Sequence, residues 1–202
     1  MPIEQNGRSL TDVPAGKIAA VVTHLQMFAR PERRSGGPQP ADLSVIRMPK
    51  PDLAWYRGLY RAVGEEWLWY SRLAMHDAEL ATIIQDPGVE IYRLVRGSAD
   101  IGLLELDFRQ PPDVELVFFG VVAEAIGTGA ARALMQFAID RVWRGGTQRF
   151  WVHTCTLDHP RAVRFYEQSG FRAFKREIEV DDDPRLSGIL PRGAAAWCPI
   201  IA

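Results

Sequence analysis

The sequence has few cysteines, no long apolar run and almost no net charge, and each absence excludes a class of protein. Cys155 and Cys198 are too few for a disulfide framework or a four-cysteine zinc site. The first apolar run covers only residues 18–22, far short of the roughly 20 residues of a membrane helix. A formal charge of -1 supplies no positive field for nucleic acid or an anionic membrane. We therefore expect a cytoplasmic protein without a metal, whose partners are small molecules or peptides.

The chain is long enough to bury one good core. It has 202 residues, of which 47% are hydrophobic and 24% charged. We predict that residues 1–42 form an N-terminal extension with a strand from Lys17 to Phe28. A mobile loop follows from Arg30 to Pro40, where glycine, proline and arginine show no apolar period. Residues 43–202 are predicted to form the main domain.

Apolar periodicity predicts alternating helices and strands over the first part of the main domain. A short strand at residues 45–46 precedes a helix whose apolar residues recur at helical spacing from Leu53 to Val63. Turn residues at 97–100 and 110–113 separate three strand-like runs, which predicts an antiparallel meander. The further helices are predicted at 77–85, 130–143 and 160–170, and the strands at 89–96, 100–108, 114–122, 149–156 and 171–180.

The C-terminal region has weaker patterns. Asp181 to Pro184 is predicted to be a polar turn, and Ala196 to Ile201 a weak strand that Pro199 interrupts. That strand would form either a sheet edge or the contact of a homodimer.

A glycine-containing loop between a predicted strand and a predicted helix is a candidate anion site. Its sequence is Ile126-Gly-Thr-Gly-Ala-Ala131, after the apolar strand that ends at Val122. Two glycines permit a tight turn of converging N–H groups, and a helix N-terminus adds about half a positive charge. Glycines in such connections also occur without a ligand. A P-loop would need Gly-Lys-Ser/Thr here, and Arg132 stands where a dinucleotide fingerprint needs its third glycine.

Two motifs resemble those of the GNAT superfamily of acetyl-CoA-dependent N-acetyltransferases. Gly129-Ala-Ala-Arg-Ala-Leu-Met135 resembles the core of motif A. His159-Pro-Arg-Ala-Val-Arg-Phe-Tyr166-Glu-Gln-Ser-Gly-Phe171 resembles motif B, usually N-x-x-A-x-x-x-Y-x-x-x-G-F. The resemblance covers about residues 43–180. Ile126 replaces the usual Gln or Arg, and His159 the usual Asn, which puts the strength of cofactor binding in doubt.

The resemblance implies a mixed α/β fold. The central sheet would be mostly antiparallel, with helices on both faces and parallel strands 4 and 5, here residues 114–122 and 149–156, splayed apart. Acetyl-CoA would lie in that gap as co-substrate, with no metal. It would contact the backbone of Val121 or Val122 and, in motif B, His159. The phosphate loop would contribute Ile126, Gly127, Thr128, Gly129, Ala130 and Ala131.

The resemblance also implies catalytic roles for two residues. Tyr166 would donate a proton to the CoA thiolate, and the N–H of Val121 or Val122 would polarise the thioester carbonyl. Glu115 would act as the base that deprotonates the amine. The alternatives are that Tyr166 is a packed helix residue, and that Glu115 faces water while a water chain accepts the proton.

The acceptor is expected to bind beside the first helices. Their aromatic residues accompany two acids, which suits a cationic ligand, although aromatics at helical spacing also form cores. Cys155 is expected to be an inert thiol, which favours direct transfer. The sequence thus predicts an N-acetyltransferase for a small-molecule or peptide amine, and a non-catalytic acyl-CoA-binding module of the same fold is the alternative. The aromatics and acids are Trp55, Tyr56, Tyr60, Trp67, Trp69, Tyr70, Glu65 and Glu66.

Overall fold

A computed structural model describes residues 3–5, 8–32 and 42–202, where a seven-stranded sheet carries helices on both faces. The strands are β1 (Ile3–Gln5), β2 (Arg8–Leu10), β3 (Lys17–Met27), β4 (Leu43–Arg47), β5 (Val89–Arg96), β6 (Ala99–Asp107), β7 (Asp113–Val121), β8 (Arg149–Cys155) and β9 (Arg172–Asp182). The helices are α1 (Leu53–Gly64), α2 (Ser71–Ala74), α3 (Asp77–Ile84), α4 (Ala130–Val142) and α5 (Ala162–Gln168). In these parts of the chain, no helix has the length and apolar character needed to cross a membrane.

The main sheet contains a parallel pair of strands that part along their length. Its order is β4-β5-β6-β7-β8-β3-β9, and β7 and β8 run parallel while the other neighbours are antiparallel. Pairing between β7 and β8 runs from Asp113 opposite Arg149 to Leu116 opposite Val152. Both strands continue beyond that point, so a gap opens between them. The mixed α/β GNAT fold with parallel, splayed strands is confirmed.

The first long strand of the chain lies inside this sheet. β3 pairs antiparallel with β8 on one side and with β9 on the other. The strand predicted from Lys17 is therefore an integral part of the main sheet, while the predicted division of the chain at residues 42 and 43 stays a prediction. β1 and β2 form a separate two-stranded sheet. The loop predicted from Arg30 lies mostly outside the described residues.

Each face of the sheet buries an apolar cluster beneath helices. On one face α4 packs Leu134 and Ala138 against Phe150, and all three are fully buried. On the other face α1 and α3 bury Tyr60 and Leu80 against the sheet. Helix α1 begins where the Asp52 side chain accepts a hydrogen bond from the N–H of Trp55 at 2.9 Å. Periodic apolar residues explain why the sequence predicted these helices.

The C-terminal predictions need correction. Asp181 belongs to β9, and Asp183, predicted to lie in a polar turn, is only 2% exposed because it binds the guanidinium of Arg185. Residues 196–201 form no strand. Pro199 has no N–H to donate, and the carbonyl of Cys198 accepts from Arg185 at 2.7 Å rather than from a neighbouring strand.

Candidate active site

A cavity of about 1270 Å³ opens where β7 and β8 part. Its walls include β7 from Val117 to Val121 and β8 from His153 to Cys155. On one face of the sheet it is lined by the loop before α4 and by α5, and on the other by residues 67–71, β3 and β9. We call the first part the cofactor half and the second the acceptor half.

The loop before α4 presents amide groups that have no partner within the described residues. Gly127 and Gly129 adopt positive φ angles of 80° and 88°, which other residues rarely adopt. No hydrogen bond is made by the N–H groups of Gly127, Gly129, Ala130 or Ala131 in the described parts of the chain. They stand at the N-terminus of α4, where unsatisfied N–H groups and the helix dipole favour an anion.

The predicted loop residues do not all reach the cavity. Ile126, Gly127, Gly129 and Ala131 line it. Thr128 turns its hydroxyl back to the carbonyl of Ala125 at 2.8 Å. Ala130 is fully buried against the core, so only its N–H group remains as a candidate contact.

Three arginines to which the sequence analysis gave no role, although they lie within the two motifs, also line the cofactor half. They are Arg132 on α4, Arg161 just before α5, and Arg164 on α5. None has an ion-pair partner in the part of the chain that the structure describes, and Glu32 is the acid that lines this half there. Arg161 and Arg164 are close in sequence, and the fold brings Arg132 to the same cavity.

One of the two candidate backbone donors on β7 is already engaged. The N–H of Val122 donates to the carbonyl of Ile101 at 3.0 Å. Val121 lies opposite Gly102, and successive N–H groups of a strand point to opposite sides. The N–H of Val121 therefore points away from β6 and toward the gap, which makes it the remaining candidate to polarise a carbonyl.

Tyr166 combines a buried ring with a hydroxyl that is available to the cavity. Its side chain is 7% exposed, packs against Phe119 and Phe171, and lines the cavity. Burial, with the charge of Asp158 as a smaller cause, raises the pKa of Tyr166 well above its usual value. The hydroxyl makes no hydrogen bond within the described residues and keeps its proton, so it is a free donor.

Glu115 stands behind His153 rather than at the cavity. The cavity is lined by His153, whose Nδ1 lies 3.5 Å from Oε1 of Glu115, and Glu115 itself is not among the lining residues. The neighbouring carboxylate of Glu115, with smaller contributions from Asp158 and Glu179, raises the pKa of His153 above 6.5 against the opposing effect of burial. From β3, the His24 ring lies 6.0 Å away. His153, a histidine with a raised pKa at the gap, was missed as a functional candidate because its carboxylate partner comes from another strand.

His159 reaches the cavity between its two halves. Its ring packs edge-on against Trp67 at 5.1 Å, and its Nδ1 accepts from the N–H of Arg161 at 3.1 Å. Burial and the charge of Arg161 lower its pKa, so it is neutral at pH 7.

The aromatic residues predicted for the acceptor separate into core and wall. Tyr56 and Tyr60 are fully buried, although Tyr60 also touches the cavity. The wall comes from the connection before α2, as Trp67, Trp69 and Tyr70 line the acceptor half. Trp55 lies elsewhere and donates to Asp100 at 2.7 Å, and the predicted acids Glu65 and Glu66 do not line the cavity.

The acids of the acceptor half come instead from distant parts of the chain. Asp158 follows β8, and Glu179 and Asp181 lie on β9. Asp158 accepts from Nε1 of Trp69 at 2.9 Å and from the hydroxyl of Thr154 at 2.6 Å, and Tyr70 donates to Asp181. The aromatic wall is thereby tied to the acids across the cavity.

A buried polar group supports the wall from below. Glu105 on β6 is fully buried, accepts from the hydroxyl of Tyr56 at 2.5 Å and from Nη2 of Arg72 at 2.6 Å. It therefore links α1 and α2 to β6. The wall residues lie in the connection between these two helices. A charge buried in this way must be satisfied, which fixes the connection between the two helices.

Cys155 is held as a thiol. Burial, with the charge of Asp158, raises its pKa to about 11, so the nucleophilic thiolate is scarce at neutral pH. Within the described residues no group of three or more histidine, cysteine or acidic side chains could hold a metal ion.

Comparison with known proteins identifies a family and a fold. The family model described as Acetyltransferase (GNAT) family matches residues 54–171, more than half of the chain. No curated protein matches the sequence.

Solved structures share the fold at low sequence identity. A GCN5-related N-acetyltransferase from Sphaerobacter thermophilus is 14% identical, with a TM-score of 0.61 over 86% of this chain and 53% of its own. A functionally unknown conserved protein from Staphylococcus epidermidis ATCC 12228 is 11% identical, with a TM-score of 0.57 over 83% of this chain and 63% of its own. The ribosomal-protein-S18-alanine N-acetyltransferase from Escherichia coli is 14% identical, with a TM-score of 0.54 over 70% of this chain and 94% of its own. The chain therefore spans little more than half of the first protein and under two thirds of the second.

Proposed function

The chain belongs to the GNAT acetyltransferase family, and from this premise we propose that it transfers an acetyl group from acetyl-CoA directly to a primary amine. The observation that carries the proposal is the cavity between β7 and β8, which has unpartnered amides at one end and the free Tyr166 hydroxyl in its wall. Acetyl-CoA supplies the activated thioester.

The residues present fit the cofactor's chemistry. The N–H groups of Gly127, Gly129 and Ala131, which have no partner among the described residues, suit a pyrophosphate, and Arg132 and Arg164, which form no ion pair there, supply positive charge for further phosphate oxygens. Exposed strand edges along the gap can pair with the amides of a pantetheine arm, as an added strand would. The neighbouring Ile126 offers no polar side chain to the cofactor, although it lines the same cavity.

The residues at the gap divide the proton transfers between them. The N–H of Val121 donates to the carbonyl oxygen as negative charge develops there. Tyr166 donates its proton to the departing sulfur and regains one from solvent. His153 accepts the proton that the amine loses, and Glu115 stabilises the imidazolium that results. Cys155, held protonated, takes no part, so transfer proceeds without an acyl-enzyme.

Ligand binding tests the cofactor site directly. At a hundredfold excess over Kd, acetyl-CoA should stabilise the fold by about 2.7 kcal/mol, which raises the Tm by about 5 to 11 °C. Gly127→Glu should abolish this rise because it places a carboxylate among the amides. Gly97→Glu is the matched control, since both glycines have positive φ and an added Cβ meets no atom within 4 Å at either position.

Turnover separates the proposal from its alternative. Release of free thiol from acetyl-CoA in the presence of a panel of primary amines would support an acetyltransferase. Thermal stabilisation by acetyl-CoA without amine-dependent thiol release would favour the non-catalytic acyl-CoA-binding module instead. If neither thiol release nor a Tm shift is seen at millimolar acetyl-CoA, both assignments are wrong.

A further inference from the structure

The two halves of the cavity carry opposite charge. Among the described residues that line the cofactor half are the three arginines Arg132, Arg161 and Arg164 and one acid, Glu32. In the acceptor half the lining contains three carboxylates and, within the described residues, no lysine or arginine. The acids are Asp158, Glu179 and Asp181. The cavity determines where a ligand can bind, and the three acids determine which charge that ligand should carry.

Within the described residues no lysine or arginine forms an ion pair with these three acids, although Lys17, which pairs with Asp182, lies near enough to Asp181 for the charge of Asp181 to contribute to the raised pKa of Lys17. Asp158 and Asp181 accept hydrogen bonds from uncharged groups, Trp69 and Tyr70 among them, and Glu179 has no partner in the parts of the chain described. None of the three has a lysine or arginine within ion-pair distance there. An uncharged donor leaves the carboxylate's negative charge in place, so the half-cavity is short of positive charge.

Titratable groups around the acceptor half respond to this negative charge. Asp158 and Glu179 help to raise the pKa of His153 and of Cys155, in both cases behind larger causes. Asp181 and Glu179 raise the pKa of Tyr70 further than burial does by itself. In the cofactor half the direction reverses, since Arg161 contributes to the lowered pKa of His159.

Aromatic rings and acids line the acceptor half together. Trp67, Trp69 and Tyr70 form one wall, and Glu179 and Asp181 of β9 adjoin it, with the Tyr70 hydroxyl donating to Asp181. Ring faces attract ammonium groups, most strongly for tryptophan, while carboxylates accept their hydrogen bonds. A neutral or anionic acceptor would leave both features unused.

We propose that the acceptor is a molecule with at least two ammonium groups, one held at Glu179 and Asp181 while the other reacts near His153. This inference rests on the proposed acetyl transfer. The reacting ammonium gives one proton to His153, its nitrogen forms a bond to the acetyl carbon, and the carbon–sulfur bond breaks. The nitrogen then releases a second proton to solvent, and the sulfur takes one from Tyr166, which regains a proton from solvent. The distal ammonium keeps its charge throughout.

A comparison of monoamines with diamines of equal chain length tests the proposal. Two pairs serve, butylamine with 1,4-diaminobutane and pentylamine with 1,5-diaminopentane, each measured at saturating acetyl-CoA. We expect kcat/KM to be about tenfold or more higher for the diamine, as one charge-assisted hydrogen bond provides. An aminated sugar and a lysine-containing peptide form two further arms, which distinguish between sources of the same chemistry.

Charge removal at the distal site provides the specific control. Glu179→Gln should reduce the diamine preference, measured as the ratio of kcat/KM for the diamine to kcat/KM for the monoamine, to about twofold or less. Glu79→Gln, on the exposed face of α3 far from the cavity, is the matched control and should keep the full preference. Higher ionic strength should lower the diamine preference, because salt screens partly exposed charges.

Binding distinguishes failure of this inference from failure of the proposed function. Each amine is also tested for its effect on the Tm in the presence of CoA, which needs no turnover. Equal stabilisation by monoamine and diamine, together with equal kcat/KM where turnover occurs, would overturn the dication proposal while leaving the acetyltransferase intact. A diamine-specific Tm rise that Glu179→Gln removes would support it even if thiol release failed.

Discussion

A single buried arginine holds the C-terminal segment against the acceptor half of the cavity. Arg185 is 2% exposed and binds Asp183 through two bonds, from Nε at 2.9 Å and from Nη2 at 2.7 Å. Its Nη1 donates to the carbonyls of Ala194, Ala195 and Cys198 at 3.1, 3.3 and 2.7 Å. The two alanines pack with Leu68, which lies between the aromatic residues of the acceptor wall.

Arg185→Met removes the guanidinium while keeping a long side chain. It leaves Asp183, which is 2% exposed, without the guanidinium, and it removes the donor to the carbonyls of Ala194 and Cys198, while the carbonyl of Ala195 still accepts from the N–H of Cys198. Loss of one partner of a buried ion pair costs about 3–5 kcal/mol, which in a chain of this size lowers the Tm by about 6 to 20 °C. Arg185→Lys should fall between, because an ammonium keeps the charge and lacks the planar fork.

The pH dependence follows from Asp183. Its hydrogen bonds from Arg185 hold the carboxyl pKa below the usual value, with burial opposing. A depressed pKa in the folded state stabilises the fold above about pH 3.9, and that contribution is lost as pH falls through the lower folded pKa. The difference in Tm between wild type and Arg185→Met should therefore be largest at neutral pH and should become smaller in acid.

Calorimetric melting measures the predicted loss of stability, and steady-state kinetics measure its effect on the acceptor half of the cavity. With the C-terminal segment loosened, KM for the amine should rise while the Tm shift given by acetyl-CoA stays near that of the wild type. The double variant Asp183→Asn/Arg185→Met should be less destabilised than the two single variants add up to, because no buried charge remains. A Tm within about 2 °C of wild type for Arg185→Met at pH 7 would refute the reasoning.

Three further predictions concern the proton transfers. Tyr166→Phe keeps the ring's packing and should lower turnover by about 10² with little change in the acetyl-CoA Tm shift; wild-type turnover, with chemistry rate-limiting, would assign sulfur protonation to another group. His153→Gln should lower kcat/KM by about 10² at pH 7, a deficit that shrinks toward pH 10 as the amine loses its own proton. Glu115→Gln should move the pH–rate inflection downward, because Glu115 is the largest cause of the raised pKa of His153. Profiles that stay parallel to wild type would contradict the roles of both residues.

Local patterns in the sequence were sufficient to predict most helices and strands. The helix that begins at Leu53 and the strand–loop–helix around Gly127 and Gly129 depend on neighbours a few residues apart, and the structure places both as predicted. The weak strand at 196–201 was wrong because a nearby guanidinium supplies donors that a sequence window does not contain. Pairing partners of β3 were likewise beyond local patterns, since they lie over a hundred residues away.

The candidate site divides in the same way. Tyr166 and the phosphate loop were each predicted from a motif that occupies one contiguous segment of the chain, and both line the same cavity. No local pattern indicates a functional role for His153, Asp158 or Glu179. Each is an ordinary polar residue in its own segment, and only the pairing of three strands brings the set together. Glu115 was predicted as the base, and its function stays a prediction, although the structure places His153 at the cavity in front of it.

The strand that the sequence assigned to an N-terminal extension determines the geometry of the acceptor half. β3 sets His24 opposite His153 of β8, and on its other side it sets Ala20 opposite Glu179 of β9. The separation between the reacting end and the acidic end of the cavity is therefore fixed by hydrogen-bonded register across one strand rather than by a loop. For the proposed acceptor with two ammonium groups, a rigid spacing of this kind would favour molecules whose two charges lie at the matching distance.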